Sequence, residues 1–141
     1  SLMSNRISYV FGLRGPSMTI DTACSSSLVA MDAAVKNTRL GLCKGAIVGG
    51  VNLMMSPHLF VAFSKARMLS PDCRCKTFDA KANGYVRGEG AGAAFLLATS
   101  QLTENDRPLA TVLGSSVNHD GTSASLTAPN GPAQQEVLRG A

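Results

Sequence analysis

The chain has 141 residues, about one average domain, and 45% of them are hydrophobic while only 16% are charged. This composition excludes an intrinsically disordered chain, and a formal charge of +4 is too small to favour nucleic acid as a partner. No apolar run approaches the roughly 20 residues of a membrane-spanning helix, and the first residues lack the pattern of a secretion signal. The sequence therefore predicts a cytoplasmic protein without a membrane partner.

Both ends of the chain read as parts of helices. Ile7, Val10 and Phe11 have the spacing of one apolar helix face, and residues 135–141 are typical of a helix that has just begun. We therefore expect the 141 residues to be an internal piece of a larger domain.

Between these ends, short apolar runs alternate with helical stretches. Strands are predicted at residues 18–21, at 46–51 as a buried strand, at 93–97 after a glycine-rich run, and at 111–117. Helices are predicted at about 25–40, ended by Gly41, and at about 57–67, and a loop follows over about 70–84. Alternating strands and helices predict an α/β layered architecture.

Four cysteines occur, at positions 24, 43, 73 and 75, in spacings that match no disulfide-rich scaffold. They are predicted to be reduced thiols. Cys73 and Cys75 with His58 could in principle bind a metal, but no second pair follows at the spacing of a zinc site. No metal centre is therefore expected.

Cys24 is the most informative residue, because it lies where a predicted strand turns into a predicted helix. Unpaired backbone N–H groups at a helix N-terminus stabilise a thiolate and can also stabilise the oxyanion of an acyl-transfer intermediate. Small neighbours leave room for a substrate, whereas the charge of Asp21 opposes a thiolate unless it is paired. Residue by residue, Cys24 is either a nucleophile or a small buried core residue.

A cysteine nucleophile usually works with a histidine, and the chain has two. His58 lies at the start of a predicted helix, where a surface or capping role is expected. His119 follows a predicted strand and could pair with Cys24, but Asn118-His-Asp-Gly121 is also typical of a turn. Spacing alone leaves both interpretations of His119 open.

Two further patterns have functional and purely structural interpretations. Gly88, Gly90 and Ala93 match the G-x-G-x-x-A pattern of dinucleotide sites, with Asp106 downstream, but small residues also serve close packing. A group of basic residues could contact an acidic protein partner or simply be solvated. This basic cluster comprises Lys65, Arg67, Arg74, Lys76, Lys81 and Arg87.

Several stretches, in order along the chain, resemble motifs of the β-ketoacyl synthase (ketosynthase) domain of modular polyketide synthases. Residues 21–28, Asp-Thr-Ala-Cys-Ser-Ser-Ser-Leu, are similar to the active-site cysteine motif of that family, and residues 49–52 to its following strand. Residues 78–90, 117–121 and 126–131 are similar to three later motifs, with Asn83 where many relatives have Asp. The resemblance covers essentially the whole chain.

The resemblance implies a thiolase-like α/β layered fold that is incomplete. About 1–108 would be the later part of its N-terminal half and about 109–141 the start of its C-terminal half. It implies that Cys24 is the nucleophile that accepts an acyl chain from acyl carrier protein, whose phosphopantetheine arm delivers it as a thioester. A malonyl-type thioester would then condense with that chain, so the enzyme would be an acyltransferase of the 3-oxoacyl-[acyl-carrier-protein] synthase type. No directly bound cofactor and no metal are implied, and the complete domain is expected to be a homodimer.

The family also requires two histidines, in His-Gly-Thr-Gly-Thr and Asn-Ile-Gly-His motifs, and neither motif occurs in this sequence. The resemblance therefore predicts that the 141 residues alone catalyse no condensation. It also places His119 at a variable position and the glycine run in the approach to a core strand. Two alternatives are a fatty-acid-type ketosynthase and a non-catalytic thiolase-fold module that binds a carrier protein or a dimer partner.

Overall fold

The computed structural model describes residues 2–141 and contains four α-helices, two strands and two short 3-10 helices within that range. The 3-10 helices are Ala23–Ser25 and Thr99–Gln101. In chain order the other elements are α1 Leu2–Phe11, α2 Ser26–Arg39, β1 Gly45–Asn52, α3 His58–Lys65, β2 Gly90–Leu97 and α4 Gly131–Gly140.

The described residues form two compact units. Residues 2–49 and 93–141 make the first unit, and residues 50–92 make the second. Within the described residues, no helix is long and apolar enough to cross a membrane.

Helix α2 belongs to the first unit and confirms the prediction of a helix over residues 25–40 to within one residue at each end. Lys36 and Arg39 lie in its last turn, where cations interact favourably with the negative end of the helix dipole. Gly41 ends the helix with a φ of +72°, a conformation that glycine adopts without steric cost. Val35 and Asp32 are the buried residues of this helix.

Strands β1 and β2 form a two-stranded sheet. The N–H of Ala98, just after β2, donates to the carbonyl of Lys44, just before β1, at 3.0 Å, so the strands run antiparallel. The prediction of a strand at 46–51 is confirmed, but the prediction that it is buried is wrong except at Val48, which is 7% exposed. The sheet has only two strands, so most of the strand's side chains have no covering layer.

Two predicted strands are absent from the described residues. Residues 18–21 and 111–117 belong to no strand. A strand needs a neighbour with which to exchange backbone hydrogen bonds, and no other segment of the described chain supplies one at either place. An apolar pattern alone therefore does not establish a strand, because strand pairing depends on which segment lies beside it.

The second unit contains α3 and the loop that follows it, together with the end of β1 and the start of β2. The guanidinium of Arg87 lies over the rings of Phe60 and Phe63 of α3, 5.4 and 4.9 Å from their centroids. The predicted loop over about 70–84 is confirmed. It is held by buried Ser70, whose hydroxyl donates to Asn83 Oδ1 at 3.0 Å.

Candidate active site around Cys24

Cys24 is the central residue of the short 3-10 helix Ala23–Ser25, which continues directly into α2. Two serines and a threonine hold this turn together. The hydroxyl of Ser26 donates to the carbonyl of Ala23 at 2.7 Å and accepts from the N–H of Thr22 at 2.9 Å. The hydroxyl of Ser25 donates to the carbonyl of Thr22 at 3.0 Å. The helical side of the predicted strand-to-helix junction is therefore present, although the strand is not.

The residue before the cysteine has an unusual backbone. Ala23 has a φ of +56°, in the left-handed region that costs an L-residue on the order of 1–2 kcal/mol. The N–H of Ala23 donates to Asp21 Oδ1 at 3.0 Å. Asp21 is therefore engaged with the turn that carries Cys24. Backbone strain that several hydrogen bonds maintain is a feature of functional turns.

The thiol of Cys24 is exposed, and it forms no hydrogen bond with any described residue. Within residues 2–141, Cys24 is therefore not a buried core residue. Cys24 precedes the first turn of α2, where backbone N–H groups lack partners within the helix. All four cysteines are free, as the sequence predicts.

Neither histidine is hydrogen-bonded to Cys24 within the described part of the chain. His119 Nδ1 accepts the N–H of Gly121 at 2.9 Å, so this side chain takes part in the turn of its own Asn-His-Asp-Gly segment. His58 is the first residue of α3, and its N–H donates to Ser56 Oγ at 3.3 Å. The structure therefore favours the turn interpretation of His119 and a helix-end position for His58.

The Asn-His-Asp-Gly turn contacts the start of α4. Asn130 Nδ2 donates to the carbonyl of Asp120 at 2.8 Å, and the N–H of Asn130 donates to Asp120 Oδ2 at 3.2 Å. Asn130 Oδ1 caps α4 by accepting the N–H of Ala133, while Asn118 Nδ2 donates to the carbonyl of Ala133 at 2.7 Å. Residues 118–123 and 125–129 line an open cavity of about 700 Å³.

The sequence singles out these two stretches separately but does not show that they are hydrogen-bonded to each other. The prediction for the last helix also begins too late, at about residue 135. The signal that could have located the start is Asn130, a favoured helix-capping residue, two positions before Pro132, a residue tolerated in a first helical turn.

The glycine run does not form a dinucleotide site. Gly90 and Ala93 lie within β2, with Gly88 just before it, whereas a phosphate-binding glycine loop must lead from a strand into a helix. Asp106 accepts from both the N–H and the hydroxyl of Thr103 at 2.7 Å, and these hydrogen bonds lower its pKa. Asp106 thus stabilises a local turn.

The candidate metal ligands and the basic cluster have other roles in the described chain. Cys75 Sγ accepts the N–H of Val86 at 3.3 Å, and no group of three metal-ligating side chains occurs within residues 2–141. Lys76 is paired with Asp72, and this hydrogen bond lowers the pKa of Asp72. With Arg87 stacked on two phenylalanine rings, two of the six basic residues are already engaged within the second unit.

The family described as "Beta-ketoacyl synthase, N-terminal domain" matches residues 1–102 of the chain. The chain belongs to the β-ketoacyl synthase family.

Several polyketide synthases are similar to this ketosynthase chain along its length. The chain is 54% identical over 99% of its length to polyketide synthase GfsA of Streptomyces halstedii, of which it covers 2%. It is 52% identical over its full length to the spectinabilin polyketide synthase system protein NorA' of Streptomyces orinoci, of which it covers 4%. It is 53% identical over 99% of its length to the hybrid PKS-NRPs synthetase opdA of Penicillium oxalicum, of which it covers 4%. The chain thus spans only a small part of each relative.

Solved ketosynthase domains share its fold. The oxazolomycin ketosynthase domain OzmH KS7 of Streptomyces albus matches 96% of this chain with a TM-score of 0.93 and 40% identity. The ketosynthase from module 6 of the bacillaene synthase of Bacillus subtilis matches 96% with a TM-score of 0.93 and 41% identity. The chain covers 24% and 25% of those two structures. The fold is therefore part of a thiolase-like α/β ketosynthase domain, as the resemblance implied.

Proposed function

We propose that this chain is the part of a polyketide synthase ketosynthase domain that carries the acyl-accepting nucleophile, Cys24. The observation that carries the proposal is the exposed thiol at the start of α2, held by a strained and hydrogen-bonded turn. Identity of 52–54% to polyketide synthases supports this type over a fatty-acid ketosynthase.

The proposed reaction has two steps at one sulfur atom. Cys24 Sγ attacks the carbonyl carbon of an acyl thioester presented by acyl carrier protein, a new thioester forms on Cys24, and the phosphopantetheine thiol leaves. A malonyl-type thioester then loses carbon dioxide, and the resulting carbanion attacks the acyl carbon on Cys24. The C–C bond forms as the Cys24 thiolate leaves. Backbone N–H groups at the start of α2 are suited to stabilise negative charge in the first step.

The same proposal covers the organisation of the whole domain. About residues 1–108 would end the N-terminal half and about 109–141 would begin the C-terminal half. The match to the family's N-terminal domain ends at residue 102, which supports this division. A homodimer of the complete domain rests on the family resemblance, and a reducing compartment such as the cytoplasm fits four free thiols.

The test is to locate the acyl group in the intact polyketide synthase. The protein is incubated with an acyl thioester of its carrier protein, digested, and mapped by peptide mass spectrometry. We expect the acyl mass on the peptide containing Cys24 and its loss in Cys24→Ala. Cys43→Ala is the matched control, because Cys43 is a half-buried free thiol of the same unit. Acylation elsewhere with Cys24 unmodified would overturn the proposal.

A non-catalytic module that only binds a carrier protein or a dimer partner is the second candidate, and thiol reactivity separates the two. A nucleophilic Cys24 should react with iodoacetamide faster than free cysteine does at the same pH, because the thiolate is the reacting form. A rate no greater than that of free cysteine, together with absent acyl transfer, would favour the binding module.

A further inference from the structure

Helix α2 is joined to a distant segment of its own unit by two side-chain hydrogen bonds. Ser115 Oγ donates to Asp32 Oδ1 at 2.9 Å, across 83 positions of sequence. Arg39 Nη2 donates to the carbonyl of Leu113 at 2.8 Å, across 74 positions. The helix that begins just after Cys24 is therefore attached at two points to residues 113–115.

The two hydrogen bonds constrain α2 jointly because they lie at different places along the helix. Asp32 and Arg39 are seven residues apart, which places them on one face of α2, about 10 Å from each other along the axis. Leu113 and Ser115 are two residues apart, so both bonds come from one short stretch of at most about 7 Å. Two bonds at this separation fix both the rotation of α2 and its position along its axis.

Asp32 makes the attachment specific. It is 6% exposed, which makes it the only buried ionisable side chain among the described residues. Lys36 Nζ lies 2.8 Å from Oδ2, and Ser115 occupies Oδ1, so both carboxylate oxygens are paired. The hydrogen bond from Lys36 lowers the pKa of Asp32 despite burial, and the bond from Ser115 adds to that effect. A buried carboxylate that loses a partner is costly, so alternative positions of the helix are disfavoured.

We propose that Asp32, Arg39 and Ser115 are positioning residues for Cys24, which set the nucleophile relative to the C-terminal half of the ketosynthase domain. The inference rests on the proposed function, in which Cys24 reacts and the half that begins near residue 109 leads to the other catalytic groups. Residues 113–115 belong to the start of that half, and Cys24 stands two residues before α2. Displacement of a reacting group by about 1 Å can cost about 100-fold in rate, so a fixed helix position matters to catalysis.

The test compares Ser115→Ala with Ser115→Thr in the intact polyketide synthase. Ser115→Ala removes the bond to Asp32, whereas Ser115→Thr keeps the hydroxyl. We expect Ser115→Ala to lower the kcat of condensation about tenfold, with KM and the alkylation rate of Cys24 within about twofold of the parent, and Ser115→Thr to restore most of the turnover. Arg39→Met removes the second attachment, so combining it with Ser115→Ala should lower kcat further.

Val35→Ala is the matched control for stability. Val35 is buried in the same helix but makes neither bond, so its truncation destabilises α2 without releasing the attachment. The positioning role is overturned if Val35→Ala lowers the Tm by as much as Ser115→Ala does and also lowers kcat by as much. It is overturned as well if Ser115→Ala keeps the turnover of the parent. If the variant that combines Ser115→Ala with Arg39→Met does not fold, the comparison of Ser115→Ala with Ser115→Thr decides alone. Absence of acyl transfer to Cys24 in the parent would instead refute the proposed function.

Discussion

Cys24 follows a residue with a left-handed backbone. Ala23 has a left-handed backbone at the start of the 3-10 helix that leads into α2, and the hydroxyl groups of Thr22, Ser25 and Ser26 hold this turn. Each of these hydrogen bonds is local, since their partners lie within four residues of each other. The short run Thr-Ala-Cys-Ser-Ser therefore contains most of the information needed to build the turn.

Substitutions at Ala23 should reveal the strain. Ala23→Gly should leave the stability of the intact domain nearly unchanged, because glycine removes the steric cost of the positive φ but adds chain entropy. Ala23→Val should destabilise it by about 1–2 kcal/mol, because β-branched residues are disfavoured in this region. Denaturant unfolding measures both variants, and a valine variant as stable as the parent would contradict a left-handed backbone at this position.

Asp32 predicts a pH dependence of stability with a defined sign. Its pKa in the folded protein is lowered, chiefly by the hydrogen bond from Lys36, below the unfolded value of about 3.9. Its contribution is therefore present above the unfolded pKa and is lost as the pH falls through the folded pKa. The stability difference between the parent and Asp32→Asn should be constant between about pH 6 and 8 and shrink below about pH 4, as measured by urea unfolding. A difference that persists at low pH would show that charge is not its source.

At the scale of elements, local signals and tertiary contacts differ in how predictable they are. Helix α2 is predictable almost to the residue, because its last-turn cations and Gly41 mark its end within the sequence. The strands predicted at 18–21 and 111–117 are wrong, because pairing requires a neighbouring segment that local pattern does not reveal. The location of Cys24 at the N-terminal end of α2 is also predictable, because it follows from the local pattern that marks the helix.

Contacts between distant stretches could not be predicted from one sequence. Asp32 belongs to none of the sites predicted from the sequence, because no local pattern shows that its carboxylate accepts a hydrogen bond from Ser115. The contact between Asn130 and Asp120 escapes prediction in the same way, although both stretches carry recognisable motifs. The residues that line a site are thus easier to predict than the hydrogen bonds that hold them.

The start of α4 offers a test at the element scale. Asn130→Ala removes both the cap on Ala133 and the bond to the Asp120 carbonyl, and should cost about 1 kcal/mol, a typical value for a lost cap. Asn130→Ser is the matched control, because serine can still cap the helix but is too short to replace the second bond. The expected order of stability is Asn, then Ser, then Ala, by denaturant unfolding of the intact domain. Equal stability of Ser and Ala would show that the cap contributes nothing.

At the scale of the whole chain, burial is small for so apolar a sequence. Hydrophobic residues make up 45% of the chain, yet Val35 and Val48 are the only buried hydrophobic residues among those described. Large side chains such as Leu28 and Phe95 are 72% and 69% exposed. The solved ketosynthase domains it matches are about four times as long, so a comparable domain has much more chain with which to cover these groups.

The isolated 141 residues should form no carbon–carbon bond, because they lack groups that the condensation requires. The two histidine motifs that the family uses for decarboxylation and for polarising the thioester do not occur in this sequence, and His119 is engaged in its own turn. Supplied with acyl and malonyl thioesters of a carrier protein, the purified piece should give no β-ketoacyl product by mass spectrometry, while the intact synthase does. Because the exposed apolar groups should also impair folding, circular dichroism is measured on the same sample. Product from a folded or unfolded piece would refute the prediction, and would mean that groups within these residues can carry out the decarboxylation.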